Sequence, residues 1–131
     1  MAGGKKPSNP ELANGFFIEP AIFGEVTPQM RIAKEEIFGP VLSVFKWRDE
    51  DEMFEAVNAV DHGLTASIWT KDLKTAHRAA RVEVGFVWVN TVGAHFLGAP
   101  FGGYKQSGMG REESADELLE YTQIKNVNVA L

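Results

Sequence analysis

The 131-residue sequence contains no cysteine. Disulfides, thiolate metal ligands and a cysteine nucleophile within this polypeptide are therefore excluded. Basic charge is scarce as well. Thirteen Lys and Arg against 18 Asp and Glu leave a formal net charge of −5, with a sequence pI near 5.2. A general nucleic-acid binder or a binder of anionic membranes needs a basic footprint, so neither partner is expected. No apolar run approaches the ~20 residues that span a bilayer. The start, Met-Ala-Gly-Gly-Lys-Lys-Pro, lacks the apolar stretch of a signal peptide, which points to a soluble cytoplasmic chain. Internal repeats and low-complexity tracts are also missing. His62, His77 and His95 have no second His or Cys at ligand spacing, and no metal site is expected.

The length and the 44% hydrophobic content suit one globular domain rather than a disordered chain. Residues 1–15, rich in Gly, Pro and Asn, read as a loop. Residues 16–23 are aromatic and aliphatic with an internal Pro20, the pattern of an edge strand or an extended segment. Residues 41–47 read as a mostly buried strand. Asp49 with Glu52 resembles a capping box ahead of Met53, Ala56, Val57 and Val60 at helical spacing, and Gly63 closes that helix. Residues 64–69 return to strand composition. Residues 72–82 predict a second helix with Leu73, Ala76, Ala79 and Ala80 inward, ended by Gly85.

Phe86-Val87-Trp88-Val89 is a continuous apolar run of the kind covered on both faces in parallel sheets. Phe86 and Trp88 are assigned to the core rather than to a ligand-stacking role. A Gly-rich loop spans residues 91–111. Ser114 and Glu117 form a second capping box before Leu118, Leu119 and Tyr121. Val127, Val129 and Leu131 alternate with Asn126, Asn128 and Ala130, which predicts a half-buried strand. Strands alternating with helices predict a parallel α/β sheet with crossover helices.

Two stretches invite a chemical role. In Glu35-Glu36-Ile37-Phe38-Gly39-Pro40, two carboxylates precede a turn that cannot continue a helix, so they are held on a short lead before the 41–47 strand. An ionised carboxylate can accept hydrogen bonds from two neighbouring hydroxyls, which suits a ribose diol. The loop Gly98-Ala99-Pro100-Phe101-Gly102-Gly103-Tyr104-Lys105-Gln106-Ser107-Gly108-Met109-Gly110 invites a phosphate cradle but fails on spacing. Tyr104 intervenes where a P-loop needs Lys directly after Gly, and Gly108-x-Gly110 lacks the third Gly of a dinucleotide fingerprint. A loop of that length is either functional or a connector with several turns. Lys71, Lys74, Arg78 and Arg81 at helical spacing read as a solvated face. Ser107 and Ser114 have no His-Asp partnership that would make a nucleophile.

Several motifs in one order carry a resemblance: Lys34-Glu35-Glu36-Ile37-Phe38-Gly39-Pro40, Asp61-His62-Gly63-Leu64, Phe86-Val87-Trp88-Val89-Asn90, Pro100-Phe101-Gly102-Gly103-Tyr104-Lys105 and Ser107-Gly108-Met109-Gly110-Arg111-Glu112. Together they resemble the C-terminal part of the aldehyde dehydrogenase superfamily, over residues 15–131. The resemblance implies an α/β fold of the aldehyde dehydrogenase type, a partial parallel sheet with crossover helices and a C-terminal oligomerisation strand. It divides the chain into a loop over 1–15, the C-terminal part of the catalytic domain over 16–122 and the oligomerisation strand over 123–131.

For function, the resemblance implies NAD- or NADP-dependent oxidation of an aldehyde to a carboxylic acid and homo-oligomers. Glu36 would bind the nicotinamide ribose hydroxyls and Phe38 would pack beside that ribose. Gly93, Ala94, His95, Phe96 and Phe101 would line the aldehyde tunnel, and His95 stands where many relatives carry an aromatic residue. The family's cysteine nucleophile, general base and oxyanion-stabilising Asn lie upstream of the matching segment, so no catalytic residue is assigned here and the chain alone is expected to be inactive. Its start resembles the interior of a longer relative. An alternative of another class is a non-catalytic assembly module that pairs with full-length subunits.

Overall fold

A computed structural model describes residues 1–131. The chain divides into two compact units, Met1–Val60 and Asp61–Leu131. Both are α/β, with parallel strand pairs in each.

In the first unit, β2 (Ala21–Phe23) lies between β1 (Ala2–Gly3), antiparallel to it, and β3 (Val41–Ser43), parallel to it. The strand expected over 16–23 is thus confined to its last three residues, since Pro20 has no amide to continue the ladder. The expected 1–15 loop contributes a strand and a 3-10 turn, Pro10–Leu12, at whose start Asn9 accepts from the Glu11 amide. The strand expected over 41–47 keeps regular pairing only to Ser43, although the Val44 amide still donates to Phe23 O at 2.8 Å. α1 (Glu50–Asn58) starts where Asp49 accepts from the amides of Asp51 and Glu52. Its buried residue is Phe54, whereas Val57, expected to face inward, is exposed. The helix ends at Asn58, and Gly63 belongs to a strand.

The second unit is built on β5 (Thr65–Ile68), α2 (Leu73–Arg78) and β6 (Phe86–Val89), with β5 and β6 parallel and α2 as the crossover. This is the expected strand–helix–strand order. Asp72 caps α2 by accepting from the amides of Lys74 and Thr75 and from the Thr75 hydroxyl. Those hydrogen bonds, the Thr75 hydroxyl first, hold the Asp72 carboxyl below its ordinary pKa. α2 tightens into a 3-10 turn, Ala79–Arg81, which buries Ala79, and Val82 beyond it is buried as well. Leu73, expected inward, is 71% exposed. The helix therefore stops before Gly85. Lys71, Lys74 and Arg81 are exposed as expected of a solvated basic face, whereas Arg78 is partly buried and its Nη2 donates to Thr75 Oγ1 at 2.8 Å.

β4 (His62–Gly63) pairs antiparallel with β7 (Tyr104–Lys105), which ties the Gly-rich loop back to the unit. The final helix, α3 (Ala115–Glu120), starts after Ser114, whose hydroxyl makes no cap bond; Glu117 accepts instead from the Glu113 amide at 2.9 Å. Residues 123–131, expected to form an oligomerisation strand, take no regular secondary structure and are exposed. A strand exists only with a partner for its backbone groups, and this chain offers that segment none. No helix is long and apolar enough to cross a membrane.

Close backbone approach explains the glycines best at Gly85. A Cβ there would overlap the Gly102 carbonyl and crowd Gly103, so the entry to β6 and the Gly102-Gly103 turn touch backbone to backbone. We expect Gly85→Ala to destabilise the second unit by more than the ~1 kcal/mol typical of a point substitution, because backbone rather than a flexible side chain must move. Thermal unfolding followed by Trp88 fluorescence in a W47F/W69F background measures it, and an unchanged midpoint refutes the close contact.

Candidate functional site

Two patches gather the residues singled out above, one in each unit. In the first unit the chain runs from a 3-10 turn, Arg31–Ala33, through Glu35 and Glu36 to Pro40. The Val41 amide donates to Gly39 O at 2.7 Å, a three-residue turn centred on Pro40, whose fixed φ suits it. The Pro40 carbonyl accepts from the Ala21 amide at 2.9 Å, which locks the end of the turn onto β2. Phe38, immediately before this turn, has φ +53° and is 93% exposed. A bulky aromatic residue is a conformational outlier there, and its ring is displayed rather than packed.

The two carboxylates are not equivalent. Arg31 Nε and Nη2 donate to the two oxygens of Glu35, both at 2.7 Å. That fork holds the Glu35 carboxyl below its ordinary pKa, the hydrogen bonds first and the charge attraction after. Glu35 is thereby committed to Arg31. Glu36 is exposed beside Phe38.

The second patch is assembled on the end of β6. Trp88 is 7% exposed and its indole Nε1 donates to Ala94 O at 2.6 Å. That bond folds residues 91–95 back over the strand from which they emerge. Asn90, at φ +56°, accepts from the Thr70 amide and donates to Thr70 O, each at 2.8 Å, closing the ends of β5 and β6 together. Ser67 Oγ donates to Thr91 O at 2.6 Å. The far end of the loop is pinned by Phe101 and Glu112, which exchange amide–carbonyl bonds at 2.9 and 2.7 Å. The Gly98 amide also donates to Glu113 O at 2.7 Å.

His95 lies among aromatic rings. Its centroid is 4.8 Å from Phe101, 5.9 Å from Phe86 in near-parallel planes, and 5.9 Å from Trp88 edge-on. Phe86 and Trp88 contact each other at 4.9 Å, so the rings assigned to the core also floor this patch. Phe96 and Leu97 project from the same loop and are exposed. Gly93, at φ +72°, has open space where a side chain would stand. Ala94, His95 and Phe101 are thus brought together, while Gly93 and Phe96 share their loop.

Sequence reasoning missed Glu113, whose carboxylate meets His95 Nδ1 at 2.8 and 2.9 Å, and the bracing by Asn90. It also missed Ser107 as a brace: its hydroxyl accepts from the Gly63 amide at 2.9 Å. A shallow hollow of about 570 Å³ beside Tyr104, Lys105, Met109 and Arg111 completes the loop's outer side. Its charges are matched locally, with Lys105 Nζ 2.8 Å from Glu83 and Arg111 over the Tyr104 ring at 5.6 Å. Nowhere do three His, Asp or Glu side chains gather around a common point suited to a metal ion.

The chain belongs to the aldehyde dehydrogenase family, whose pattern matches residues 1–127. It is 60% identical over 121 residues to the aldehyde dehydrogenase tropH of Talaromyces stipitatus, covering 92% of this chain and 24% of that protein. It is 49% identical to the betaine aldehyde dehydrogenase of Bacillus subtilis, over 95% of this chain and 26% of the relative. Among solved structures, the NAD+ complex of a Bacillus cereus aldehyde dehydrogenase superposes with a TM-score of 0.84 at 42% identity, over 95% of this chain and 25% of that one. A betaine aldehyde dehydrogenase of Staphylococcus aureus in complex with NAD+ gives 0.84 at 40%, over 92% and 24%. The chain therefore spans about a quarter of the length of the relatives it matches.

The bond from Trp88 to Ala94 yields a direct expectation. Trp88→Phe keeps an aromatic ring but deletes the donor, which forfeits about 0.5–1.5 kcal/mol. Residues 91–97 should then exchange amide hydrogens and be cut by protease faster than in the parent, with β5 and β6 protection retained. Equal loop protection in both proteins would show that the loop holds itself.

Proposed function

We propose that this chain is the C-terminal segment of an NAD(P)-dependent aldehyde dehydrogenase that oxidises an aldehyde to a carboxylic acid. In this assignment it contributes a cofactor-ribose contact and part of the aldehyde-lining wall. The observation that carries the reading is Phe38, an exposed ring on a left-handed backbone next to Glu36. Such strain in a displayed aromatic marks a ligand position more readily than a packing position. Glu36 accepts from the nicotinamide ribose hydroxyls, and Phe38 packs against the sugar. The bound cofactor supplies the hydride acceptor.

The aldehyde lies against residues 93–96 and Phe101. These touch the part of the substrate that does not react, so they set preference rather than reaction type. The nucleophile comes from other sequence, because these 131 residues contain no cysteine, and by family resemblance the general base lies outside this segment as well.

The chain by itself should oxidise no aldehyde with NAD+ or NADP+. Placed in the Talaromyces stipitatus relative in exchange for the matching segment, it should support turnover. In that chimera Glu36→Gln should raise the KM for the cofactor roughly 10- to 100-fold, the loss of about 1.5–3 kcal/mol for a charged hydrogen bond. Glu35→Gln should change it little. Steady-state kinetics with the cofactor varied decides: equal effects of the two substitutions, or none from Glu36→Gln, remove Glu36 from the site.

A second reading, assembly with further copies or with full-length subunits, is favoured by the apolar side chains Ile124, Val127, Val129 and Leu131, all exposed on a segment without regular structure. Unpaired apolar segments of this sort recruit other chains. Light scattering after size exclusion should find the isolated chain above its 14.4 kDa monomer mass, and deletion of residues 123–131 should lower that mass. A monodisperse monomer before deletion rejects this reading.

A further inference from the structure

We infer that the His95–Glu113 pair selects aldehydes whose non-reacting end carries a hydroxyl group, with Glu113 as the residue that positions the imidazole. This deepens the aldehyde-wall assignment proposed above and rests on it. His95 and Trp88 are the side chains of the aromatic patch with hydrogen-bonding rings. Phe86, Trp88 and Phe101 surround His95, and the indole donor of Trp88 is already used on Ala94. An imidazole here can therefore add a directional polar contact to a wall that is otherwise aromatic.

The direction of that contact follows from Glu113. Both of its carboxylate oxygens lie within 2.9 Å of His95 Nδ1. An ionised carboxylate only accepts, so Nδ1 carries the proton and, in the neutral ring, Nε2 presents a lone pair. A lone pair there recognises a donor, such as a hydroxyl. An ether offers none, and a carboxylate on the ligand would meet the negative charge of Glu113 close behind the ring. The side chains are 37% and 27% exposed, so the pair is partly sheltered yet reachable.

Glu113 is itself held by two backbone hydrogen bonds. Its carbonyl accepts from the Gly98 amide at 2.7 Å, its amide donates to Glu117 at 2.9 Å, and its backbone adopts φ +64°. A residue kept in the left-handed region by two backbone hydrogen bonds aims its carboxylate in one direction. Since Gly98 belongs to the same loop as His95, loop and carboxylate are registered together.

The test uses the chimera described above with three matched substrates: the hydroxy compound 4-(hydroxymethyl)benzaldehyde, the methoxy compound 4-(methoxymethyl)benzaldehyde and 4-carboxybenzaldehyde. The expected result is a kcat/KM for the hydroxy compound at least about tenfold above the other two, the scale of one hydrogen bond. His95→Phe should abolish that preference. Glu113→Gln should raise KM for the hydroxy aldehyde alone, with its kcat and both constants for the methoxy compound retained, and Glu113→Asp should recover part of the loss.

A preference that survives His95→Phe, or one for the carboxylate, overturns the inference. If His95→Phe reorders aldehydes by size but not by hydroxyl content, the wall assignment stands and the polar selection falls. If it alters no aldehyde, both fall. As a measurement that needs no turnover, the His95 imidazole nitrogens of the 131-residue chain can be followed by NMR during titration with phenol or anisole. A shift of Nε2 with phenol alone is expected, and equal responses overturn the inference.

Discussion

The second unit depends on the burial of one tryptophan. Trp88 is among its few deeply buried side chains, and its ring and its N–H perform different tasks. The ring fills space between Phe86 and His95, which is the ordinary use of a large aromatic in a small core. The indole N–H cannot be buried without an acceptor, and the acceptor it finds is the Ala94 carbonyl. The need to satisfy one polar atom thus fixes where the following loop turns back. His95 is the next residue after that anchor, so its placement beside Phe101 follows from the same requirement.

The Gly-rich loop obeys a related constraint. Its glycines do not form a cradle of amides around an anion. Gly102 and Gly103 sit where side chains would collide with neighbouring backbone or with Ser107, and Gly85 opposes them for the same reason. Close approach then allows β4 and β7 to pair and Phe101 to bridge to Glu112. A stretch of some twenty residues that looks irregular is a folded strap, braced at Gly63 by Ser107 and at Asp61 by the Gln106 amide.

The parts legible in the sequence were those encoded locally. The cap at Asp49, the apolar run that becomes β6 and the strand–helix–strand order all rest on neighbours within a few residues. The turn at Gly39-Pro40 is of the same kind. What sequence did not disclose is non-local. Two-residue strands such as β1, β4 and β7 carry no periodicity, and they exist because a distant partner lies alongside. Leu73 fits a helical apolar stripe, yet the helix is only six residues long and shows that position to solvent. The partnership of His95 with Glu113 spans eighteen residues and depends on the loop closing between them. No motif spacing announces it. The terminal alternation at Val127, Val129 and Leu131 reads as a strand because periodicity reports a face, while pairing needs a second chain segment.

Five non-glycine residues have left-handed backbones, and four of them are compensated within the chain. Glu25 forms an ion pair with Lys46 at 2.7 Å. Asn90 exchanges two hydrogen bonds with Thr70. Lys105 pairs with Glu83 and is held in β7. Glu113 meets His95, Gly98 and Glu117. Phe38 differs: its ring is almost fully exposed, and its apolar side chain can make no compensating polar contact. A conformation of this kind costs about 1–3 kcal/mol and persists where its surroundings impose it. Here the imposition comes from the Pro40 turn and the bond from Ala21 behind it, while the benefit falls to whatever covers the ring. That asymmetry, strain built in on one side and no packing gained on the other, is the physical ground of the proposal that a ligand rather than core packs against Phe38.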